Sequence, residues 1–316
     1  MTIHAHMPEA EYRAHPAWSW STAKHALACP AEALDQRERP IDSNDAMRLG
    51  TMIHTAILEP AEYALRYIVP PVVERQPGWD VDGKRGAYTV RGVEYGTKAE
   101  AEAAALPWGW AGCAETYRTQ AEAKAALGAA MPGEWVTQEL YDDVAARAAQ
   151  AIAKLPAGLS HEVAMLGSIE GCAVKGRADG CGAGVVLDVK TSRDLSPAAI
   201  SRTAAQSKWP AQVWTYGELA RQAGYGTPER YCILVVQAPV VSGSPLGLSS
   251  SRQPRHHARL LTIDDAAMAQ GRRDALLVWR AVRDCAASGV WPDYPDGALS
   301  LPRWALDGAV EEVESW

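Results

Sequence analysis

Asp188 and Lys190 stand two residues apart in an otherwise aliphatic stretch, VVLDVKT, over residues 185–191. A short run of β-branched and aliphatic residues predicts a strand. Side chains alternate between the faces of a strand, so this carboxylate and this ammonium share one face about 7 Å apart. Asp179 closes the preceding strand-like segment, CAVKGRAD, and Glu162 lies in the segment before that. Two carboxylates at one sheet edge make a hard-oxygen site for magnesium or manganese. A cation there binds a phosphate oxygen and lowers the pKa of water, while a nearby lysine orients that water or offsets charge on the phosphate. A solvent-facing Lys/Asp pair, worth about 0–1 kcal/mol, accounts for the same two residues equally well at this level.

Gln212 and Tyr216 are four apart in PAQVWTYGEL, so on a helix they stack on one face. An amide and a phenol there could brace the lysine or a phosphate, or simply form the polar flank of an amphipathic helix. His54, in LGTMIHTAILEP, borders an apolar helical face that includes Met52, Ile53, Ala56 and Ile57. Gly50, one turn before it, leaves room for close approach. A histidine beside an apolar face is more often a satisfied core residue than a ligand, so this one alone decides nothing.

These residues need elements to position them. Residues 18–34 read as helical, and 46–66 follow a helical period interrupted at Pro60. Residues 138–154 form an amphipathic helix ending before Pro156. Residues 161–166, 171–179 and 185–191 read as three short strands, the last two joined as a hairpin through CGAG. For Asp179 to share a face with Asp188, the register must set it opposite an even-numbered residue such as Val186. That requires an even-numbered loop or a bulge. Ser196-Pro197 suits the start of a helix over 197–206, and a second helix runs from about Pro210 to Gly224. The wholly apolar YCILVVQA (231–238) predicts a central strand, ARLLTI (258–263) another, and Asp264 or Asp265 opens a long helix ending near Gly289. This order predicts an α/β fold with a mixed central sheet flanked by helices. Residues 70–135 are rich in Gly, Pro and polar residues, with a helical piece at 97–106, and residues 242–257 have the composition of a flexible loop.

Composition narrows the class. The 316 residues, 47% hydrophobic and 22% charged, suit a soluble globular chain with a sizeable core. No membrane-length apolar run is present, and the N-terminus lacks the order of a signal peptide, so a cytoplasmic protein is expected. The six cysteines include no Cys-x-x-Cys spacing, which argues against a zinc knuckle or a cysteine-ligated iron–sulfur cluster. A net charge of −7 argues against a general nucleic-acid-coating protein, but leaves room for an acidic site that meets phosphate through a metal. Phenylalanine is absent against twelve tryptophans, so Trp and Tyr must fill the aromatic core positions.

Taken in order, Gly50-x-x-x-His54-x-x-x-Leu58-Glu59-Pro60, EVAMLG from Glu162, KGRADG with Asp179, LDVKT with Asp188 and Lys190, and QVWTY with Gln212 and Tyr216 resemble the PD-(D/E)xK nuclease superfamily. Within it they are most similar to the RecE-like (exonuclease VIII) phage-type exonucleases; VWPDY (290–294) and LPRWA (301–305) are similar to that group's ending. Ala178 stands where the superfamily's name has proline. The resemblance implies a restriction-endonuclease-like core over 157–316 and an N-terminal, mostly helical region over 1–156 that lends His54 to the site, the two forming one compact unit. It implies Asp179 and Asp188 as metal-binding carboxylates and Lys190 as the catalytic lysine. The Val189 carbonyl and His54 would be further ligands, Gln212 and Tyr216 the Q-x-x-x-Y motif of the RecB-like branch, and Glu162 a recurrent acid of less defined role.

The activity implied is magnesium-dependent hydrolysis of DNA phosphodiesters, with manganese able to substitute. It would run 5′ to 3′ from double-stranded ends and leave 3′ overhangs for a single-strand annealing protein in recombination. A homo-oligomer encircling DNA is implied as well, with no membrane partner. Two other readings stay open: a catalytically silent DNA-end-binding or anti-defence protein of the same fold, and a RecB-like or CRISPR-adaptation nuclease without an iron–sulfur cluster. No DNA-binding residue is assigned.

Overall fold

The computed structural model describes residues 7–39, 43–69, 133–239 and 256–297, residues 125 and 300, and, in backbone only, residues 3–4 and six short strands between 74 and 117. The readings for 97–106, 242–255 and 301–305, and most of 70–135, lie outside the described residues.

Five strands form the core of a mixed sheet: β1 (Ser160–Ile169), β2 (Cys172–Gly182), β3 (Val185–Ser192), β4 (Arg230–Gln237) and β5 (Ala258–Thr262), in that spatial order. β3 and β4 are parallel, and every other pair in this order is antiparallel. The parallel step is spanned by helices α7 (Pro197–Gln206) and α8 (Trp209–Gln222), the crossover that parallel neighbours require. β4 is interior, paired with β3 on one side and β5 on the other as its unbroken apolar sequence requires, but it lies next to the edge strand rather than at the centre of the sheet, where β3 sits.

Helices cover both faces. α4 (Asp45–Leu58) and α6 (Gln138–Ile152) pack on Val185, Leu187, Val189 and Leu234. α8 and α9 (Asp265–Ser288) pack on Val163, Val174, Val186 and Val235. Helices α4, α6 and α9 start on side-chain caps: Asn44 accepts from Met47 N at 2.9 Å, Thr137 from Leu140 N at 3.2 Å, and Asp264 from Ala267 N at 2.8 Å. α4 stops at Glu59 because Pro60 opens the separate helix α5 (Pro60–Arg66). Tryptophan takes the place of phenylalanine in the core: Trp20 and Trp279 pack edge to face with centroids 6.0 Å apart, and Trp279 Nε1 donates to Thr215 Oγ1 at 3.3 Å.

Residues 18–34 are not one helix. Trp18–Ser19 is a short strand parallel to β2, and α2 (Trp20–Ala23) then runs into a 3-10 turn, Lys24–Leu27. Pro30 then opens α3 (Pro30–Glu38), capped by Cys29. The proline ends one helical run and starts another, and sheet pairing captures the two residues before α2. Further upstream, α1 (Glu9–Ala14) lies on β2. Trp291, in the VWPDY segment, stacks on Trp18 at 5.3 Å, and Ala31 N donates to Pro292 O at 3.0 Å, so that segment fastens the sheet edge. His256 lies in the loop just before β5, as expected, but it is held in place. It meets the buried Asp143 at 2.9 Å, where Arg147 also forks onto Asp143 at 2.7 and 3.0 Å.

Candidate active site

β2 and β3 form a hairpin whose loop is Ala183 and Gly184, at φ 46° and 71°. Positive φ at both loop residues is the pattern of a tight two-residue hairpin turn, and the second position suits glycine. The ladder runs Gly182–Val185, Cys181–Val186 and Gly180–Leu187, so the loop is even-numbered and Asp179 falls next in line with Asp188. Val186 itself faces Cys181. Beyond Gly180 the ladder stops and the strands fork. Across the fork the Val189 N–H donates to Asp179 Oδ2 at 2.5 Å, a bond that in a continuing ladder would go to a backbone carbonyl.

The side chains gather at this fork from several elements. His54, on α4, places Nδ1 3.7 Å from Asp179 Oδ2, close enough to the Val189 backbone for that peptide group to act on its pKa. Glu162, on β1, is held at φ 50°, a left-handed conformation rare for a residue with a side chain. Such strain is typical of functional positions. Ligand atoms of His54, Glu162 and Asp179 all lie within 4.8 Å of one another. Asp188 is beside this cluster rather than in it. Its Oδ2 is 2.7 Å from Lys190 Nζ, and its Oδ1 accepts from Gln212 Nε2 at 3.1 Å. Gln212 Oε1 accepts from Lys190 Nζ at 3.0 Å, and Gln212 Nε2 also donates to Tyr216 Oη at 2.8 Å. The amide therefore braces the lysine and its carboxylate together. α8 reaches that position because Gly176 has no side chain: a Cβ there would lie 2.8 Å from the Tyr216 ring.

Burial and mutual repulsion govern the acids of the fork. Burial, then the neighbouring Asp188, raises the Asp179 carboxyl to about 8. Burial, then Asp179, raises Glu162 to about 7. Burial lowers the pKa of His54, which favours the neutral, ligating imidazole, and burial raises the Tyr216 phenol well above its usual value. Asp188 Oδ2 is buried and accepts no hydrogen bond of good geometry among the described residues, although the Lys190 ammonium is near. Carboxylates that are costly to ionise, a neutral imidazole and a backbone carbonyl form a donor set that fits one or more hard divalent cations.

The structure thus brings together His54, Glu162, Asp179, Asp188, Val189, Lys190, Gln212 and Tyr216. It gives Glu162 a firmer place beside His54 and Asp179 than the sequence does. Gly50 does not admit close approach in the expected way, since a Cβ there would make only an ordinary 3.7 Å contact with Thr191 Oγ1. Three residues escape the sequence reading. Lys24 lies close enough to Lys190 that burial and that charge lower its pKa. Arg177 Nη1 lies 3.7 Å from Glu162 Oε2, and the guanidinium packs on Tyr12. A signal for Arg177 was present: in KGRAD, Lys175, Arg177 and Asp179 alternate, as residues of one strand face do.

A family model described as a PDDEXK-like domain of unknown function (DUF3799) matches residues 19–298. No curated protein matches. Among solved structures, the chain is similar to a candidate exonuclease from Eubacterium rectale, at 13% identity and a TM-score of 0.51 over 97% of this chain and 98% of that one. It is also similar to a phage-related exonuclease from Haemophilus somnus 129PT, at 13% identity and a TM-score of 0.32 over 61% of this chain and 90% of that one. At these identities the first likeness concerns the fold, and the second carries no argument.

Proposed function

Because the chain belongs to the PDDEXK-like domain family, with its mixed sheet flanked by helices, we propose that it is a divalent-metal-dependent nuclease. The observation that carries this reading is the fork between β2 and β3, where Asp179 and Glu162 meet His54 while Lys190 is braced by Asp188 and Gln212. A solvent-facing Lys/Asp pair would not need three carboxyls and a left-handed Glu162 backbone around it.

His54, Glu162 and Asp179 would hold the cation, with the Val189 carbonyl and Asp188 at its margin. Magnesium is the expected ion, with manganese able to replace it. When bound, such a cation lowers the pKa of water and offsets charge developing on a phosphate. The Lys190 ammonium is near enough for its charge to act on His54 and Asp179. Held by Asp188 and Gln212, it would orient the attacking water or neutralise the phosphoryl oxygens. Gln212 keeps the lysine in place without adding charge, and Tyr216 fixes the amide.

The finer reading is a DNA exonuclease. It would act 5′ to 3′ on double-stranded ends, in a cytoplasm, and leave 3′ overhangs for a single-strand annealing protein during recombination. A homo-oligomer around the DNA would suit a chain of net charge −7 if its subunits turned their basic residues toward the DNA. Among the described residues no helix is long and apolar enough to cross a membrane. The test is digestion of duplex and single-stranded DNA, labelled at either the 5′ or the 3′ end, with and without magnesium. Release of 5′-terminal nucleotides from duplex supports the full reading. Degradation of other substrates leaves only the nuclease. No hydrolysis with magnesium or manganese, with metal bound, points to the silent DNA-end-binding alternative.

A further inference from the structure

The site is backed by a charged clamp that the proposed chemistry does not use. Lys175 Nζ donates to the carbonyls of Tyr12, Arg13 and His15 at 2.8, 3.0 and 2.8 Å. Carbonyls at a helix end lack intrahelical partners, so the buried ammonium fastens the C-terminal end of α1. Arg177, two residues along β2, fastens the other end. It forms a hydrogen-bonded ion pair with Glu9, donates to the Met7 carbonyl at 3.1 Å, and lies 4.6 Å over the Tyr12 ring.

The same Arg177 Nη1 that meets Glu9 lies 3.7 Å from Glu162 Oε2, just beyond hydrogen-bond reach. One guanidinium is therefore shared between a carboxylate of the N-terminal helix and a carboxylate of the site, and the helix has the closer hold. Glu9 is itself secured by Arg13 at 2.5 Å. We propose that Arg177 is a positioning residue for Glu162, and that Glu9 holds its guanidinium away so that Glu162 stays free to ligate the cation. This inference rests on the metal-site reading above. Without Glu9, Arg177 keeps its charge in a setting only 17% exposed, and Glu162 is the nearest carboxylate able to pair with it. An arriving cation must then displace that arginine.

Calorimetric titration of the full chain with manganese, with no DNA present, reads binding rather than hydrolysis. Glu9→Gln is expected to weaken manganese binding about tenfold, equivalent to a coupling of about 1.4 kcal/mol. The Glu9 side chain is 52% exposed, so the amide leaves the fold intact. Glu9→Asp, which keeps the carboxylate, should stay within about threefold of the parent. Adding Arg177→Gln to Glu9→Gln should restore the affinity, although it loosens α1 further. A helix that merely buttressed the fold would give the opposite result. Unchanged affinity in Glu9→Gln, an equal loss in Glu9→Asp, or a loss that persists in the double variant overturns the proposal. A parent chain that binds no manganese instead overturns the metal-site reading itself.

Discussion

Asp179 should make the metal-free protein less stable as pH rises. Its folded carboxyl titrates at about 8 against 3.8 for a free one, so over that interval the folded state holds a proton that the unfolded chain releases. Stability then falls with pH across the window, because the unfolded state binds fewer protons. Glu162, at about 7 against 4.5, adds the same sign over a narrower span. Each pH unit is worth about 1.36 kcal/mol per proton, so the three units up to neutrality give about 4 kcal/mol for Asp179 before the site relaxes. Asp179→Asn removes this liability and keeps an oxygen to accept the Val189 N–H. In EDTA, urea unfolding should show the variant at least about 2 kcal/mol more stable than the parent near pH 7.5, with the advantage shrinking toward pH 5. Manganese should reverse the order. It displaces those protons, so its stabilisation of the parent grows with pH, while the variant gains little. A parent whose metal-free stability is flat between about pH 5 and 8, or a variant with a pH-independent advantage, would refute the reasoning.

Other outcomes follow from the same geometry. Lys190→Met should lower kcat by about 10²- to 10³-fold in a nuclease assay while leaving manganese affinity within a few-fold, since the lysine is braced beside the cluster rather than in it. Tyr216→Phe removes one hydrogen bond to Gln212 and should cost about 1 kcal/mol or less in thermal unfolding, with a smaller rate loss than Lys190→Met. Gly176→Ala puts a methyl 2.8 Å from the Tyr216 ring, so it should cost about 1–3 kcal/mol and also lower activity by pushing α8 and Gln212 off the lysine. Asp143→Ala leaves the Arg147 guanidinium, 4% exposed, without its carboxylate; a loss of about 3–5 kcal/mol by chemical denaturation is expected.

Much of the fold was legible because it rests on local rules. Residue alternation placed β1 to β3, the apolar run 231–238 predicted the interior strand β4 though not its place next to the edge, Pro60 split α4 from α5, and Ser196-Pro197 opened α7. Where the reading failed, non-local pairing had overridden local preference. Trp18 and Ser19 look helical beside α2, but they are drawn into the sheet against Val174 and Lys175, more than 150 residues away. His256 is a loop residue in the structure as in the sequence, and what its neighbours in sequence do not show is that Asp143 on α6 fixes it.

For the site, local pattern supplies the chemical inventory: which strand carries an acid and a lysine on one face, which helix stacks an amide on a phenol, and which histidine borders an apolar face. Those follow from the periods of strand and helix, which depend on no other part of the chain. Which of these residues meet is settled by packing between distant segments. The fork between β2 and β3 arises because the Asp179 carboxylate takes the Val189 N–H in place of a strand carbonyl, and α4 and β1 converge there from opposite parts of the chain. The strain at Glu162 and the arginine shared between Glu9 and Glu162 are likewise products of packing. No period in a sequence encodes them, because each depends on distances between segments that only folding brings together.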